Sequence, residues 1–258
     1  RSNMSIVTWN VNSLKVRFPH LEMMIKDCSP DVICLQETKT EDANFPLADI
    51  ENLDYFASYH GQKTYNGVAI LSRERLHEVQ FGIPNFEDNQ ARVIAATSST
   101  GIRIINVYVP NGEAVDSEKY VYKLSWFRAF IEYVRSTVKI YSSIIILGDF
   151  NIAPRGEDVY DPEAFQEKLL CSAHERTLFE ELLGLGFLDA FHERTESSER
   201  FTWWDYRMNA FRRKLGLRID HILMTESEFN RCAEVKILKE FRKMERPSDH
   251  APVIANFI

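Results

Sequence analysis

Six separate apolar runs in this chain each carry polar side chains at or near one end. Asn10 ends the run in "TWNVN", and Glu37 ends the one in "CLQETK". Tyr108 and Asn111 close "NVYVPNG", while Asp149 and Asn151 close "IIILGDFN". Asp220 lies in "LRIDHIL", and Asp249 and His250 stand directly before the last run in "PSDHAPV". Neighbouring residues of a strand point to opposite faces, so Asp249 and His250 can serve one site only from a turn. Pro247 and Ser248 supply that turn. A lone Asn or Asp after a strand ordinarily does no more than make a turn. Six such ends brought together would crowd carboxylates that repel and resist desolvation unless a cation or a substrate enters. Glu37, Asp149, Asp220 and Asp249 offer hard oxygen donors, and no Cys/His set suits zinc. The expected ion is therefore Mg²⁺, with Mn²⁺ as a substitute, and Mg²⁺ commonly works on phosphates.

Other routes to phosphate or acyl chemistry lack their motifs. The sequence contains no G-x-x-x-x-G-K-[ST] loop and no G-x-G-x-x-G, which argues against nucleotide-driven phosphoryl transfer. It contains no G-x-S-x-G elbow, which weakens a serine hydrolase reading.

The elements that must hold these residues can be read from pattern. Strands are expected at 5–11, 31–36, 55–59, 67–72, 92–97, 102–109, 143–148, 219–224, 235–238 and 252–257. Some are apolar on both faces, as in "SIIILG", which marks central strands covered on either side. From Val121 onward, Leu124, Phe127, Ile131, Val134 and Val138 form a helical stripe. A second helix is expected in "HERTLFEELLGLGF", ending at Gly184 or Gly186, and a shorter one from His20 to Cys28. About ten strands with few helices, and no Pro/Gly/Ser-rich linker or internal repeat, predict two stacked sheets flanked by helices. That is a sandwich and not a doubly wound single sheet.

Composition sets the outer limits. The chain has 258 residues, 45% hydrophobic and 27% charged, the balance of a soluble globular protein with ample core. No apolar run of about 18 residues appears, so no membrane span is expected. Residues 1–3 precede Met4 and read as an expression remnant, and a strand-like pattern follows at once in place of a signal peptide. With no basic extension, a bacterial or archaeal cytoplasm is expected. Cys28, Cys34, Cys171 and Cys232 show no C-x-x-C spacing and read as buried thiols. A net charge of −7 argues against wrapping nucleic acid by bulk charge, but it leaves room for a local basic groove. "RFTWWDYRMNAFRRKLGLR" is such a place. It sets Arg200, Arg207, Arg212, Arg213, Lys214 and Arg218 against the single acid Asp205, interleaved with aromatic rings suited to an unstacked nucleotide.

In order and spacing, "TWNVN", "LQETK", "NVYVPNG", "GDFNIAP", "GLRIDHIL" and "PSDHAPV" resemble the endonuclease/exonuclease/phosphatase superfamily. More narrowly they resemble its exonuclease III branch of abasic-site DNA repair endonucleases. The match runs from Met4 to the last strand and takes in "FPL", "YHGQK" and "RFTWWDYR". The resemblance implies an α/β fold, a four-layer α-β-β-α sandwich of two mixed β-sheets flanked by helices, as one catalytic domain over residues 4–258. Position by position, Glu37 resembles the principal Mg²⁺ ligand, helped by Asn10 and Asn12, with Asp249 a further acid near the metal. Asp149 and Asn151 resemble the pair that deprotonates and orients the attacking water, Asp220 the carboxylate partner of His250, and Tyr108 and Asn111 the phosphate contacts. Asp149 and His250 both remain candidates for the general base. Trp203, Leu217 and Ile219 match walls of a pocket for a flipped-out abasic sugar, and Arg207 matches a side chain inserted into the duplex. Arg92, Gln62, Lys63, Tyr65 and Asn66 are weaker candidates for backbone contact. Two positions depart from the pattern: Asn12 stands where some members carry an acid, and Ser13 where glycine is common.

The implied activity is Mg²⁺-dependent hydrolysis of the phosphodiester 5′ to abasic sites in duplex DNA, with 3′-exonuclease or 3′-phosphatase action, by a monomer. Two alternatives stand beside it: a phosphoesterase of the same superfamily acting on inositol phosphates or lipids, and a binding module without catalysis.

Overall fold

A computed structural model describes residues 3–195 and 198–258, so Arg1 and Ser2 of the expected remnant lie outside the described residues. In chain order the strands begin with β1 (Met4–Asn10), β2 (Val32–Gln36), β3 (Phe56–His60), β4 (Val68–Ser72) and β5 (His77–Phe81). There follow β6 (Val93–Thr97), β7 (Arg103–Tyr108), β8 (Ile144–Asp149), β9 (Phe187–Asp189) and β10 (Trp203–Trp204). β11 (Gly216–Leu217), β12 (Asp220–Thr225), β13 (Cys232–Ile237) and β14 (Val253–Phe257) complete the set. The α-helices are α1 (Leu14–Cys28), α2 (Leu47–Glu51), α3 (Glu118–Thr137), α4 (Ala173–Leu183), α5 (Ala190–Arg194) and α6 (Glu226–Phe229).

Two six-stranded sheets run in the orders β13-β14-β1-β2-β4-β3 and β5-β6-β7-β8-β12-β9, and β10-β11 forms a separate ribbon. Each sheet is mixed, with one parallel pair: β1–β2 in the first and β7–β8 in the second. Alternation along the strands then builds the layers. Ile6 of β1 turns toward the space between the sheets, whereas Val7 and Trp9 turn outward to pack with Leu14, Leu21 and Met24 of α1. Ile145 and Leu147 of β8 face the same central space, and Ile144 and Ile146 face Phe127 and Phe130 of α3 and Phe179 of α4. The order is helix, sheet, sheet, helix, the expected four-layer sandwich. It also explains "SIIILG": both faces of β8 are covered, so its body from Ile144 to Leu147 is wholly apolar.

Local differences from the sequence reading have physical causes. The first helix begins at Leu14, not at His20, because Pro19 sits inside it and sacrifices one backbone bond instead of ending it. β5 escapes the pattern search because it is mostly exposed and its pairing with β6 slips register. The α3 stripe holds at Phe127, Ile131 and Val134, but Val121 is exposed and Tyr120, Lys123 and Phe130 turn inward.

One buried polar network braces the second sheet. The fully buried Arg218 donates to Asp158 Oδ1 at 2.8 Å, to Asp189 Oδ2 at 2.7 Å and to His221 Nδ1 at 3.1 Å. Because Nδ1 accepts, Nε2 donates to the Ile152 carbonyl at 2.8 Å, and the imidazole is neutral. Burial, then the Arg218 guanidinium, push His221 down to about 4. Between the ordinary histidine value of about 6.5 and this one, the unfolded chain binds a proton that the fold refuses. Stability therefore falls as pH falls through that window. From pH 7 to pH 5 this side chain is expected to remove about 2 kcal/mol. Urea unfolding of His221→Gln should show that much less loss; an unchanged loss would mean that His221 is charged in the fold.

Candidate active site

Register brings the polar strand ends to one edge of the sandwich. The parallel strands β1 and β2 end together, with Asn10 opposite Gln36 and Glu37 next in chain. β14 runs antiparallel to β1 and pairs Val253 with Thr8, which delivers Asp249 and His250 to the same edge. In the second sheet β7 and β8 end together at Tyr108 and Asp149, and β12 starts with Asp220 opposite Asp149. Gly148 permits this pairing, since a Cβ there would sit 1.9 Å from the Val107 carbonyl oxygen.

At the centre lies Asp149, 1% exposed. Its Oδ1 accepts from the Asn151 backbone N–H at 3.0 Å and its Oδ2 from the Asn10 amide at 2.9 Å. The same amide nitrogen donates to Glu37 Oε1 at 2.9 Å. His250 Nδ1 lies 2.8 Å from Asp220 Oδ2, and its Nε2 lies 3.6 Å from Asp149 Oδ2. Burial opposes charge on His250, but the carboxylates of Asp220 and Asp149 overrule it and hold its pKa up at about 10. Burial raises Asp149 to about 7 against the pull of His250. Tyr108 is raised well above the phenol range by burial and then by Glu37 and Asp149.

Several residues of the site hold strained backbone. Glu37 (φ 51°), Asn12 (φ 44°), Ser13 (φ 88°) and Asn151 (φ 49°) all adopt left-handed conformations without being glycine. Such residues cost about 1–3 kcal/mol each and persist only where surrounding structure fixes them. Hydrogen bonds from Ser13 N–H to the Glu37 carbonyl at 2.8 Å and from Asn151 Nδ2 to the Val109 carbonyl at 2.9 Å do so.

Glu37, Asp149 and His250 each present one potential ligand atom, all within 4.8 Å of one another. Since His250 carries both ring protons at neutral pH, the oxygen donors are the two carboxylates, a set that suits a hard divalent cation. Asn10 faces this group with its NH₂, because its Oδ1 accepts from Asn12 N–H at 3.0 Å. Asp249 turns toward Trp203 Nε1 at 3.1 Å and Asn12 Nδ2 at 3.4 Å.

The remaining candidates spread outward from this point. Asn111 donates to Asn151 Oδ1 at 3.3 Å. Trp203 and Leu217 line an apolar cavity of about 600 Å³ with Phe165, Leu169 and Leu170, and Arg207 stands at its rim, paired with Asp205 at 2.8 Å. Ile219 is buried behind that wall with Leu217 and Leu170. The Arg92 guanidinium lies 4.8 Å from the centre of the Tyr108 ring. Gln62 and Asn66 bond to each other at 3.1 Å, whereas Lys63 and Tyr65 are exposed. Pattern reading missed Lys39, 2.7 Å from Asn12 Oδ1 and 3.5 Å from Glu37 Oε2, although "QETK" places it two residues from the acid. Ser248, expected only to help make the turn, accepts from His250 N–H at 3.2 Å and also donates to the Asn10 carbonyl at 2.6 Å.

Buried acids, a charged histidine and a divalent-cation donor set at the rim of a mixed-sheet sandwich define a metal-dependent phosphodiesterase. A sequence profile of the Endonuclease/Exonuclease/phosphatase family matches residues 7–250. Exodeoxyribonuclease III of Haemophilus influenzae is 36% identical over 98% of this chain and 100% of its own length. The solved structure of the Neisseria 3′ phosphatase NExo, bound to a product DNA hairpin, superposes with a TM-score of 0.97 at 48% identity, covering 99% of each chain. An AP endonuclease from Archaeoglobus fulgidus superposes at 0.94 with 37% identity, over 98% of this chain and 99% of its own. The chain belongs to the endonuclease/exonuclease/phosphatase family and groups with its exodeoxyribonuclease III-like members.

The electrostatics of the site can be tested without substrate. In metal-free protein, ¹⁵N NMR should find the His250 ring still doubly protonated at pH 8. Asp220→Asn should lower its titration by about 1–3 units, since an adjacent opposite charge is worth that much. A wild-type midpoint near 6.5 would contradict the ion pairing.

Proposed function

We propose that this chain is a Mg²⁺-dependent DNA repair nuclease. It hydrolyses the phosphodiester 5′ to abasic sites in duplex DNA and removes 3′-blocking groups or nucleotides, as a single catalytic domain over residues 4–258. The observation that carries this reading is the Asp149 carboxylate, buried between Asn10, Asn151 and a charged His250. The names of the similar proteins support DNA as substrate: one is bound to a DNA hairpin product and another is an AP endonuclease. The apolar cavity beside Trp203 and Leu217 suits a sugar without its base, and Arg207 at its rim would meet the strand. The reading takes the protein to be a cytoplasmic monomer.

Hydrolysis needs an aligned water, relief of charge on the phosphate and stabilisation of the departing oxygen. Charged His250 and the Tyr108 hydroxyl face the incoming phosphate, and the Asn111 amide orients it. Asp149 accepts the proton of the attacking water, and Asn151 fixes the direction of its lone pairs. A pKa raised toward neutrality suits a carboxylate to that task. Held chiefly by Glu37, a bound Mg²⁺, or Mn²⁺ in its place, supplies positive charge against the phosphate oxygens. Asp220 keeps His250 charged and oriented.

The test is a duplex oligonucleotide with one tetrahydrofuran site, beside a second duplex bearing a 3′-phosphate, each with Mg²⁺ or EDTA. Incision at the lesion that EDTA abolishes is expected, as is release of the 3′-phosphate. Asp149→Asn should slow the reaction by about 10²–10⁴-fold. A loss below tenfold would remove Asp149 from the role of base, and no cleavage of either duplex with any divalent ion would end the proposal.

A further inference from the structure

Lys123 lies in α3, 1% exposed, in a part of the molecule that composition would assign to core packing. Its ammonium has three protons and three acceptors. It donates to the Asn151 carbonyl at 2.7 Å, to the Asn111 carbonyl at 3.1 Å and to the Glu175 carboxylate. Both carbonyls belong to candidate site residues, on loops that follow different strands of the second sheet. Glu175, fully buried, also accepts from Leu170 N–H at 3.1 Å, from Ser172 N–H at 3.2 Å and from the Ser172 hydroxyl at 2.8 Å. It thereby joins the start of α4 and the wall of the apolar cavity to the same ammonium. Gly112 makes room for the arrangement: at φ 96°, a Cβ there would come within 3.0 Å of both Lys123 Cδ and Leu169 Cδ1.

We propose that Lys123, anchored by Glu175, is a positioning residue that clamps the Asn111 and Asn151 loops at the separation catalysis requires. The inference rests on the functional reading above. It goes further in assigning a catalytic consequence to a side chain that touches neither phosphate nor metal. A buried ammonium suits the role because it draws two carbonyls to one point, whereas water bridging the same groups would let the loops drift. Displacement of catalytic groups by about 1 Å can cost on the order of 100-fold in rate.

Removing Lys123 alone would strand a buried carboxylate and confound folding with positioning. The informative variant is Lys123→Met combined with Glu175→Gln, which removes both charges and keeps the helix cap of α4. With folding verified by thermal unfolding, kcat on the abasic-site duplex should fall about 10- to 100-fold with KM within threefold of wild type. The side-chain amide resonances of Asn111 and Asn151 should shift. A folded variant with kcat within twofold of wild type, or a loss carried by KM alone, overturns the proposal. Should the variant not fold, the unmodified protein decides: coupling through the hydrogen bond from the Lys123 ammonium nitrogen to the Asn151 carbonyl carbon is expected, and its absence overturns the clamp. If wild-type protein cleaves no DNA, the nuclease reading fails, while the amide shifts and the coupling still decide whether the clamp exists.

Discussion

Like charges forced together out of water are the constraint on which this structure turns. Asp149 and Asp220 are 1% and 2% exposed, and Glu37 and Asp249 stand beside them. Two carboxylates of this kind repel and resist desolvation. His250 offsets their charge by lying between Asp220 and Asp149, and Lys39 offsets Glu37 from the rim. Four carboxylates against these two cations leave roughly two negative charges, the deficit that a divalent ion fills. The same ion would draw Asp149 below its metal-free value of about 7 and leave it a ready proton acceptor.

The sandwich makes that concentration of charge tolerable. Asp149 and Asp220 lie within their strands and Glu37 and Asp249 in the turns beside theirs, because register places the ends of β1, β2, β7 and β8 beside the starts of β12 and β14. Rigidity beneath the site comes from polar groups bridging the sheets: Asn106 of β7 donates to the Leu35 and Ala69 carbonyls of the opposite sheet and accepts from Gln36 at 2.8 Å. Strain at Glu37, Asn12 and Asn151 is affordable only over such a floor. Stability held in the body of the molecule is thus converted into fixed geometry at its edge.

Much of this was legible in the sequence, for reasons that particular residues make plain. Doubly apolar "SIIILG" could only be a covered strand, and the run of polar strand ends pointed to a shared edge before any register was known. Covalent spacing, however, carries no information about which atom of a side chain faces which neighbour. Asn10 was expected to help the metal, but the demand of Asn12 N–H for an acceptor turns its NH₂ toward the acids. Ile219 was expected to wall a pocket, and it lies one layer behind the wall that Leu217 forms. Arg218 was read as part of a local basic groove, yet it is fully buried on Asp158 and Asp189, and Lys123, which no motif singled out, is buried on Glu175; these partners lie far away in sequence. Charge pairs closed by long loops leave no local pattern to find.

The central claim is that one divalent ion completes the acidic edge at Glu37. Crystals soaked in Mn²⁺ and measured at the manganese absorption edge address it directly. The account predicts an anomalous peak about 2 Å from a Glu37 carboxylate oxygen, on the side facing Asp149. A peak at another cluster of acids, with none at Glu37, would contradict it.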